Sequence, residues 1–159
     1  MNVVCQANKA SEIGSFRRGL YFEPNATFDL IVGQIYRVYA IALFREVDLA
    51  ASIDPKPRWY PAQAGLIVLT SRAGISPPVP AWYPIEFFSI DDAELPGHWL
   101  FRSSMAFGVE RLLQTGVEAI WGYPELVDSP DHMLGLLDRD PKALAVFRSE
   151  VARQPSDDP

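Results

Sequence analysis

The chain has 159 residues, which is a usual length for one domain. Apolar residues make up 48% of it, enough for a substantial core, and 20 acidic against 14 basic side chains give a net charge of −6. Binding to nucleic acid or to an anionic membrane needs an excess of Lys and Arg, so this balance argues against both.

Two stretches near the N-terminus have the pattern of strands. Met1–Cys5 predicts a short opening strand, and Gln34–Arg45 predicts a long one that follows a natural turn position at Gly33. Strict alternation places two sets of side chains on opposite faces, Tyr36, Val38, Ala40, Ala42 and Phe44 on one and Ile35, Tyr39, Ile41 and Leu43 on the other. Both faces are mostly apolar, so we expect this strand to be central or to bend between two sheets.

Three shorter strands are predicted in the middle of the chain. They are Gly65–Thr70, Tyr83–Ile90 and His98–Arg102, and the second of them is expected to end at an acidic turn, Asp91–Asp92. The proline-rich segment Ser76–Pro80 lacks the N–H groups that a ladder needs, so it predicts a loop or a sheet edge.

Helical signals dominate after residue 103. Apolar residues at helical spacing predict a helix near 105–113, and a last short strand is expected at Val117–Trp121. Ser129-Pro130 and Asp140-Pro141 each have the form of an N-cap followed by proline at the first helical position, so each predicts a helix start.

The order of these elements, strands first and helices second, predicts an α+β fold. We expect a small bent antiparallel β-sheet or SH3-like barrel followed by two or three C-terminal helices. The expected domain spans 1–152, with a β-rich part at 1–103 and a mainly helical part at 104–152, and 153–159 forms a frayed polar tail.

Few types of catalytic site fit the composition. The single cysteine, Cys5, excludes an intramolecular disulfide and a cysteine-based zinc knuckle, and His98 and His132 are too far apart for a helical metal motif. The sequence has no glycine-rich phosphate loop and no nucleophile elbow. We therefore predict no catalytic residue, no metal and no cofactor.

The N-terminus lacks the pattern of a secretion signal and no apolar run is long enough to span a bilayer, so we expect a cytoplasmic protein without a membrane segment.

Two short motifs resemble those of small bacterial SH3-like barrels. Gly33-Gln34-Ile35-Tyr36-Arg37-Val38 is similar to the Gly-x-x-Tyr-x-Val entry of such barrels, and Trp82-Tyr83-Pro84-Ile85-Glu86-Phe87-Phe88 is similar to their later Tyr-Pro then Phe pattern. The resemblance covers residues 1–90, although the chain adds an insert at 11–25 and a proline-rich loop at 54–61. The remainder resembles small bacterial proteins that include immunity partners of secreted toxins. Neither resemblance supplies a catalytic constellation.

Two acidic clusters are candidate sites with a structural alternative. Asp91, Asp92 and Glu94 lie close in sequence to His98, so they could hold a cation or exchange a proton, or simply form a solvated turn, which we favour. A continuous helix from Pro124 would place Glu125, Asp128 and His132 on one face beside Asp131, as in a metal or acid–base patch. Ser129-Pro130 is expected to break that helix, which favours a structural role.

Cys5, in a strand-like apolar context, is expected to be a small buried hydrophobe.

The aromatic residues are the most informative candidates. Trp59-Tyr60-Pro61 and Trp82-Tyr83-Pro84 repeat one motif at predicted loop or strand-entry positions, where the rings either pack in the core or form a binding surface. We predict a non-catalytic protein-binding module, with an immunity-like inhibitor of a bacterial toxin as its specific form. Trp59, Tyr60, Trp82 and Tyr83 would anchor a basic protein partner, and Asp91, Asp92 and Glu94 would pair with its cations. The alternative is an enzyme or small-ligand binder with a cleft between sheet and helices, in which His98 or His132 titrates.

Overall fold

The computed structural model describes residues 1–13, 25–45, 64–103 and 117–153. In these residues seven strands form one bent antiparallel sheet and three α-helices follow the last strand, so the predicted α+β fold is confirmed. The strands are β1 (Asn2–Cys5), β2 (Ile35–Arg45), β3 (Ala64–Ser71), β4 (Pro80–Pro84), β5 (Phe88–Asp92), β6 (Leu100–Ser103) and β7 (Val117–Gly122). The helices are α1 (Pro124–Asp128), α2 (Pro130–Leu137) and α3 (Pro141–Arg153).

The long strand β2 organises the sheet because it pairs along both of its edges. β3 pairs with Val38–Arg45 on one edge, whereas β1 pairs with Ile35–Arg37 and β7 with Ala40–Phe44 on the other. β4 continues the sheet beyond β3, β5 continues it beyond β1, and β6 continues it beyond β7. In the described part of the chain β4, β5 and β6 are therefore the outer strands.

A β-bulge at Tyr39 decides which core each side chain of β2 enters. The register shifts here, because Val38 and Ala40 pair with consecutive residues of β3. Tyr36 and Val38 lie in one core, whereas Tyr39, Ala40 and Ala42 lie in another. The prediction of strict alternation along this strand is wrong, since one extra residue reverses the alternation that follows it.

Two hydrophobic cores lie on opposite faces of this region of the sheet. The helix core packs β2, β3 and β7 against the helices through residues such as Leu69, Ile120, Tyr123, Leu126, Met133 and Phe147. The strand core is formed by Val3, Cys5, Ile13, Leu30, Tyr36, Val38, Val68, Tyr83 and Phe87. Burial of each large apolar side chain contributes about 1.5–3 kcal/mol, so both cores stabilise the fold.

Most predicted strands are confirmed. Met1–Cys5, Gln34–Arg45, Gly65–Thr70 and Val117–Trp121 agree with β1, β2, β3 and β7 to within one residue at each end, and β6 begins two residues later than His98.

The predicted strand Tyr83–Ile90 is wrong, because it is two strands joined by a 3-10 turn at Ile85–Phe87. β4 pairs with β3, whereas β5 pairs with β1 on the other side of β2, so one continuous strand cannot make both ladders. β5 also includes Asp91 and Asp92, which therefore lie in a strand and not in the predicted turn.

The helix starts follow the predicted capping pattern. Ser129 Oγ accepts a hydrogen bond from the His132 N–H at 3.2 Å and separates α1 from α2, so the predicted break at Ser129-Pro130 is confirmed. Asp140 Oδ1 caps α3 by accepting from the N–H groups of Lys142 and Ala143, at 2.9 and 3.0 Å.

α1 was not predicted, and the predicted helix at 105–113 lies outside the described residues. None of the described helices has the length and apolar character needed to cross a bilayer.

Candidate functional site

A buried carboxylate connects helix α3 to the loop before β6. The Glu150 side chain is 2% exposed, and its Oε1 lies 2.7 Å from His98 Nε2. Its other oxygen accepts a hydrogen bond from Arg153 Nη1 at 3.0 Å, one turn further along α3. A buried carboxylate is stable only when its oxygens are paired, and here each oxygen has a cationic or titratable partner.

The charge of Glu150 affects the pKa of two tyrosines of the helix core. Burial raises the pKa of Tyr123 well above its usual range, and Glu150 raises it further. Burial and Glu150 also raise the pKa of Tyr39, while Arg37 opposes them. Both phenols therefore stay protonated at neutral pH and retain a hydrogen to donate.

A cleft of about 440 Å³ opens beside this carboxylate, and we call it the β5 cleft. It is lined by Met1, Asn2, Arg37, Asp92, Glu94, Leu95, Pro96, Gly97, His98 and Arg153. Its volume lies within the range of small-ligand pockets, and its walls carry both signs of charge. The structure thus brings His98, Asp92 and Glu94 together, as their proximity in sequence suggests, but the carboxylate bound to His98 is Glu150.

Acidic side chains continue from this cleft onto the C-terminal end of the outer strand β5 and the residues just after it. Asp91, Asp92 and Glu94 are all exposed, and Asp92 Oδ1 accepts a hydrogen bond from the Glu94 N–H at 2.9 Å. Asp91 does not line the cleft, so it presents its carboxylate on the neighbouring surface. Three carboxylates within four residues give this edge a concentrated negative charge.

The ladder geometry leaves backbone groups of β5 directed away from β1. Val4 is paired with Ser89, and the Gln6 N–H donates to the Phe87 carbonyl at 2.7 Å, so alternate residues of β5 bond to β1. Ile90 is one of the residues between them, so its N–H and C=O point to the outer edge. Its side chain is 58% exposed. Within the described residues, β1 is the only strand paired with β5.

The predicted aromatic anchors do not form one surface. Tyr83 is 5% exposed and lies in the strand core, where its ring contacts Phe28 and Phe88 edge to face. The prediction of Tyr83 as a surface anchor is therefore corrected, because β4 directs this ring inward. Trp82 is partly buried against the helix core, and Trp59 and Tyr60 lie outside the described residues.

The second acidic cluster is divided among separate contacts. His132 Nε2 lies 2.8 Å from the Tyr123 hydroxyl, and Asp128 forms an ion pair with Arg102. Burial lowers the pKa of His132, and the Glu125 carboxylate opposes this shift. Over the described ranges there is no group of three or more His, Cys, Asp or Glu side chains able to hold a metal ion.

Cys5 has the environment expected of a structural thiol. It is fully buried in the strand core, and its Sγ donates to the Ala7 carbonyl at 3.2 Å. Burial raises its pKa, which disfavours the thiolate needed for nucleophilic chemistry.

Sequence reasoning missed Glu150 and Arg153. The available signal was the position of Glu150 three residues after Phe147, on the same stripe of α3 that is buried through Ala143 and Phe147. An acid on a buried stripe needs a partner, but the sequence does not identify His98, which is 52 positions away. The contact depends on how the sheet places the loop before β6.

No protein-family model, curated protein or solved structure matches this chain. The resemblance to small bacterial SH3-like barrels and to immunity proteins therefore stays a prediction.

Proposed function

We propose that this protein is a non-catalytic binding module whose β5 edge binds an extended cationic segment of a partner protein. The observation that supports this proposal is the exposure of Asp91 and Asp92 at the end of the outer strand β5, and of Glu94 just after it, beside the outward-facing backbone groups of Ile90. An added strand obtains affinity from main-chain hydrogen bonds, and its alternate side chains provide specificity.

The charges favour a basic partner. The whole chain carries a net charge of −6, which attracts a cationic protein before contact, and the acids of β5 then select Lys or Arg side chains. An immunity-like inhibitor that occludes a basic toxin is a specific form of this proposal.

A peptide titration followed by ¹⁵N NMR tests the proposal. The probe is an extended peptide that alternates Lys with Thr, and the matched control replaces each Lys with Glu. We expect the Lys peptide to shift the amide resonances of Ile90 and its neighbours in β5, because new backbone hydrogen bonds form there. Equal shifts with both peptides, or shifts located elsewhere, contradict the proposal.

Charge reversal tests whether peptide binding depends on the acids of this edge or only on the net charge of the protein. Asp91→Lys combined with Asp92→Lys should abolish the shifts without unfolding the protein, because both side chains are exposed. Asp131→Lys combined with Asp138→Lys makes the same change in net charge on α2 and at its C-terminal end, and should leave binding at β5 largely intact. If both pairs weaken binding equally, the interaction is nonspecific.

A second candidate function, small-ligand binding in the β5 cleft, is favoured by one contact. His98 is held at 2.7 Å from Glu150 while it lines a cleft of about 440 Å³, so its imidazole has a fixed position from which to contact a ligand. Ligand affinity would then depend on the His98 imidazole, and His98→Gln would weaken it. Unchanged ligand affinity in a variant with both His98→Gln and His132→Gln would eliminate this candidate.

A further inference from the structure

A second cleft, of about 400 Å³, lies at β4, which is the outer strand at the opposite edge of the sheet from β5. We call it the β4 cleft. It is lined by Thr27, Phe28, Asp29, Arg72, Pro80, Ala81, Trp82, Tyr83, Leu136, Leu137 and Arg139. Trp82 belongs to the helix core, whereas Phe28 and Tyr83 belong to the strand core, so the cleft follows the edge of the sheet between the two cores.

Two residues that line this cleft have buried donors without an acceptor. Arg72 Nε and Trp82 Nε1 are inaccessible to solvent and have no hydrogen-bond partner. Both groups can only donate, so what each lacks is an acceptor. Buried polar groups without a partner are uncommon in folded proteins, so each of these two donors calls for an explanation.

The charge of the β4 cleft is opposite to that of the whole chain. Arg72 and Arg139 contribute two positive charges and Asp29 contributes one negative charge, which leaves a net charge of +1 in a chain of −6. Arg72 Nη1 is paired with Asp29 Oδ2 at 3.1 Å, whereas Arg139 is exposed at the end of α2. Burial raises the pKa of Tyr83 to about 12, so this hydroxyl is uncharged at neutral pH.

The edge of β4 is poorly suited to an added strand. The Arg72 N–H donates to the Val79 carbonyl. Because backbone groups alternate in direction along an antiparallel ladder, the N–H and C=O groups of Ala81 and Tyr83 also point toward β3. The outward-facing positions are Pro80, Trp82 and Pro84, so Trp82 has the only outward N–H of β4. Prolines at such positions protect a sheet edge from strand pairing, which favours a small molecule over a peptide strand.

We propose that the β4 cleft binds a small organic carboxylate with an apolar body. The carboxylate would pair with the guanidinium of Arg72, whose side chain is 31% exposed, beside the buried donors Arg72 Nε and Trp82 Nε1, and would be attracted by Arg139. The apolar body would lie against Phe28, Leu136 and Leu137, and Leu137 is 55% exposed. This inference is independent of the binding function proposed for β5.

Phenylacetate and its uncharged analogue phenylacetamide are the probes for a ¹⁵N NMR test. Each is added to about 10 mM, because ligands of this size bind with millimolar Kd. We expect phenylacetate to shift the Trp82 indole N–H and the Arg72 Nε–H resonances in a saturable way, and phenylacetamide to shift them much less. Trp82→Phe assigns the indole signal. The buried Trp99 Nε1, which also lacks a partner but lies outside the β4 cleft, is the internal control and should not move.

A charge variant tests the role of Arg139. This residue has a φ of 57°, which asparagine tolerates well, so Arg139→Asn removes the charge with little strain. We expect Arg139→Asn to weaken phenylacetate binding about fivefold through the lost attraction, whereas Lys142→Asn, at an exposed basic residue outside the β4 cleft, should leave the Kd unchanged. No saturable shift, equal shifts with both probes, or an unchanged Kd in Arg139→Asn would each overturn the proposal.

Discussion

The carboxylate of Glu150 lies 2.7 Å from the imidazole of His98, although 52 positions separate the two residues in the sequence. This contact attaches the loop between β5 and β6 to helix α3 and fixes His98, which lines the β5 cleft. The Glu150 side chain is 2% exposed and that of His98 is 35% exposed, so the pair is partly shielded from water.

The first prediction concerns the energy of this contact. In a double-mutant cycle of His98→Ala and Glu150→Ala, we expect a coupling energy of about 1–2 kcal/mol, as for a partly buried hydrogen bond to a charged group. Urea unfolding of the four proteins measures it. A cycle of His98→Ala with Asp138→Ala is the control and should be additive, so equal coupling in both cycles would contradict the prediction.

The second prediction concerns acid stability. Burial lowers the pKa of His132, so the unfolded chain takes up this proton at a higher pH than the folded chain. The contribution of His132 to stability is therefore fully present above about pH 6.5 and is lost as the pH falls through the folded pKa. In His132→Gln, the loss of unfolding free energy between about pH 7 and pH 5 should be smaller than in the wild type. An identical loss in both proteins would show that other groups determine it.

The third prediction concerns the close approach of β2 and β7. A Cβ at Gly122 would lie 2.9 Å from Ala40 Cβ and 3.3 Å from the Tyr39 carbonyl oxygen. Gly122→Ala should therefore destabilise the protein by about 1–3 kcal/mol, the usual cost of overpacking. Gly97→Ala is the matched control, because nothing lies within 4 Å of its Cβ position. Thermal unfolding that gives equal shifts for both variants would contradict this account.

The fourth prediction distinguishes packing from partner binding at the Trp-Tyr pair of β4. Tyr83 is 5% exposed in the strand core, so Tyr83→Ala should cost about 3–5 kcal/mol of stability. Trp82 is only partly buried, so Trp82→Ala should cost less. Chemical unfolding ranks the two variants. A Tyr83→Ala protein as stable as the wild type would restore this residue as a candidate surface anchor.

The local pattern of the sequence predicted most elements of the fold but not their pairing. The apolar alternation of β2 and the caps at Ser129 and Asp140 are local signals, so they could be read directly. The bulge at Tyr39 depends on the register with β3, which no local pattern determines. The division of the predicted third strand has the same origin, since it follows from the positions of β1 and β3 in the sheet.

The candidate sites show the same limit. The acids Asp91, Asp92 and Glu94 were identified from their density in the sequence, and the structure places them on an exposed edge. Glu150 was missed because its partner lies in a distant loop. The two unpartnered donors at Arg72 and Trp82 depend on side-chain positions, which composition does not reveal.

The bulge in β2 also has a consequence for how the protein unfolds. A single strand supplies Val38 to the strand core and Ala42 to the helix core, so neither core can separate while that strand stays in place. Native-state hydrogen exchange should therefore show one cooperative unit, in which the amides of Val38 and Ala42 open with the same free energy. The two cores would be lost together, and an intermediate that retains only one of them should not accumulate.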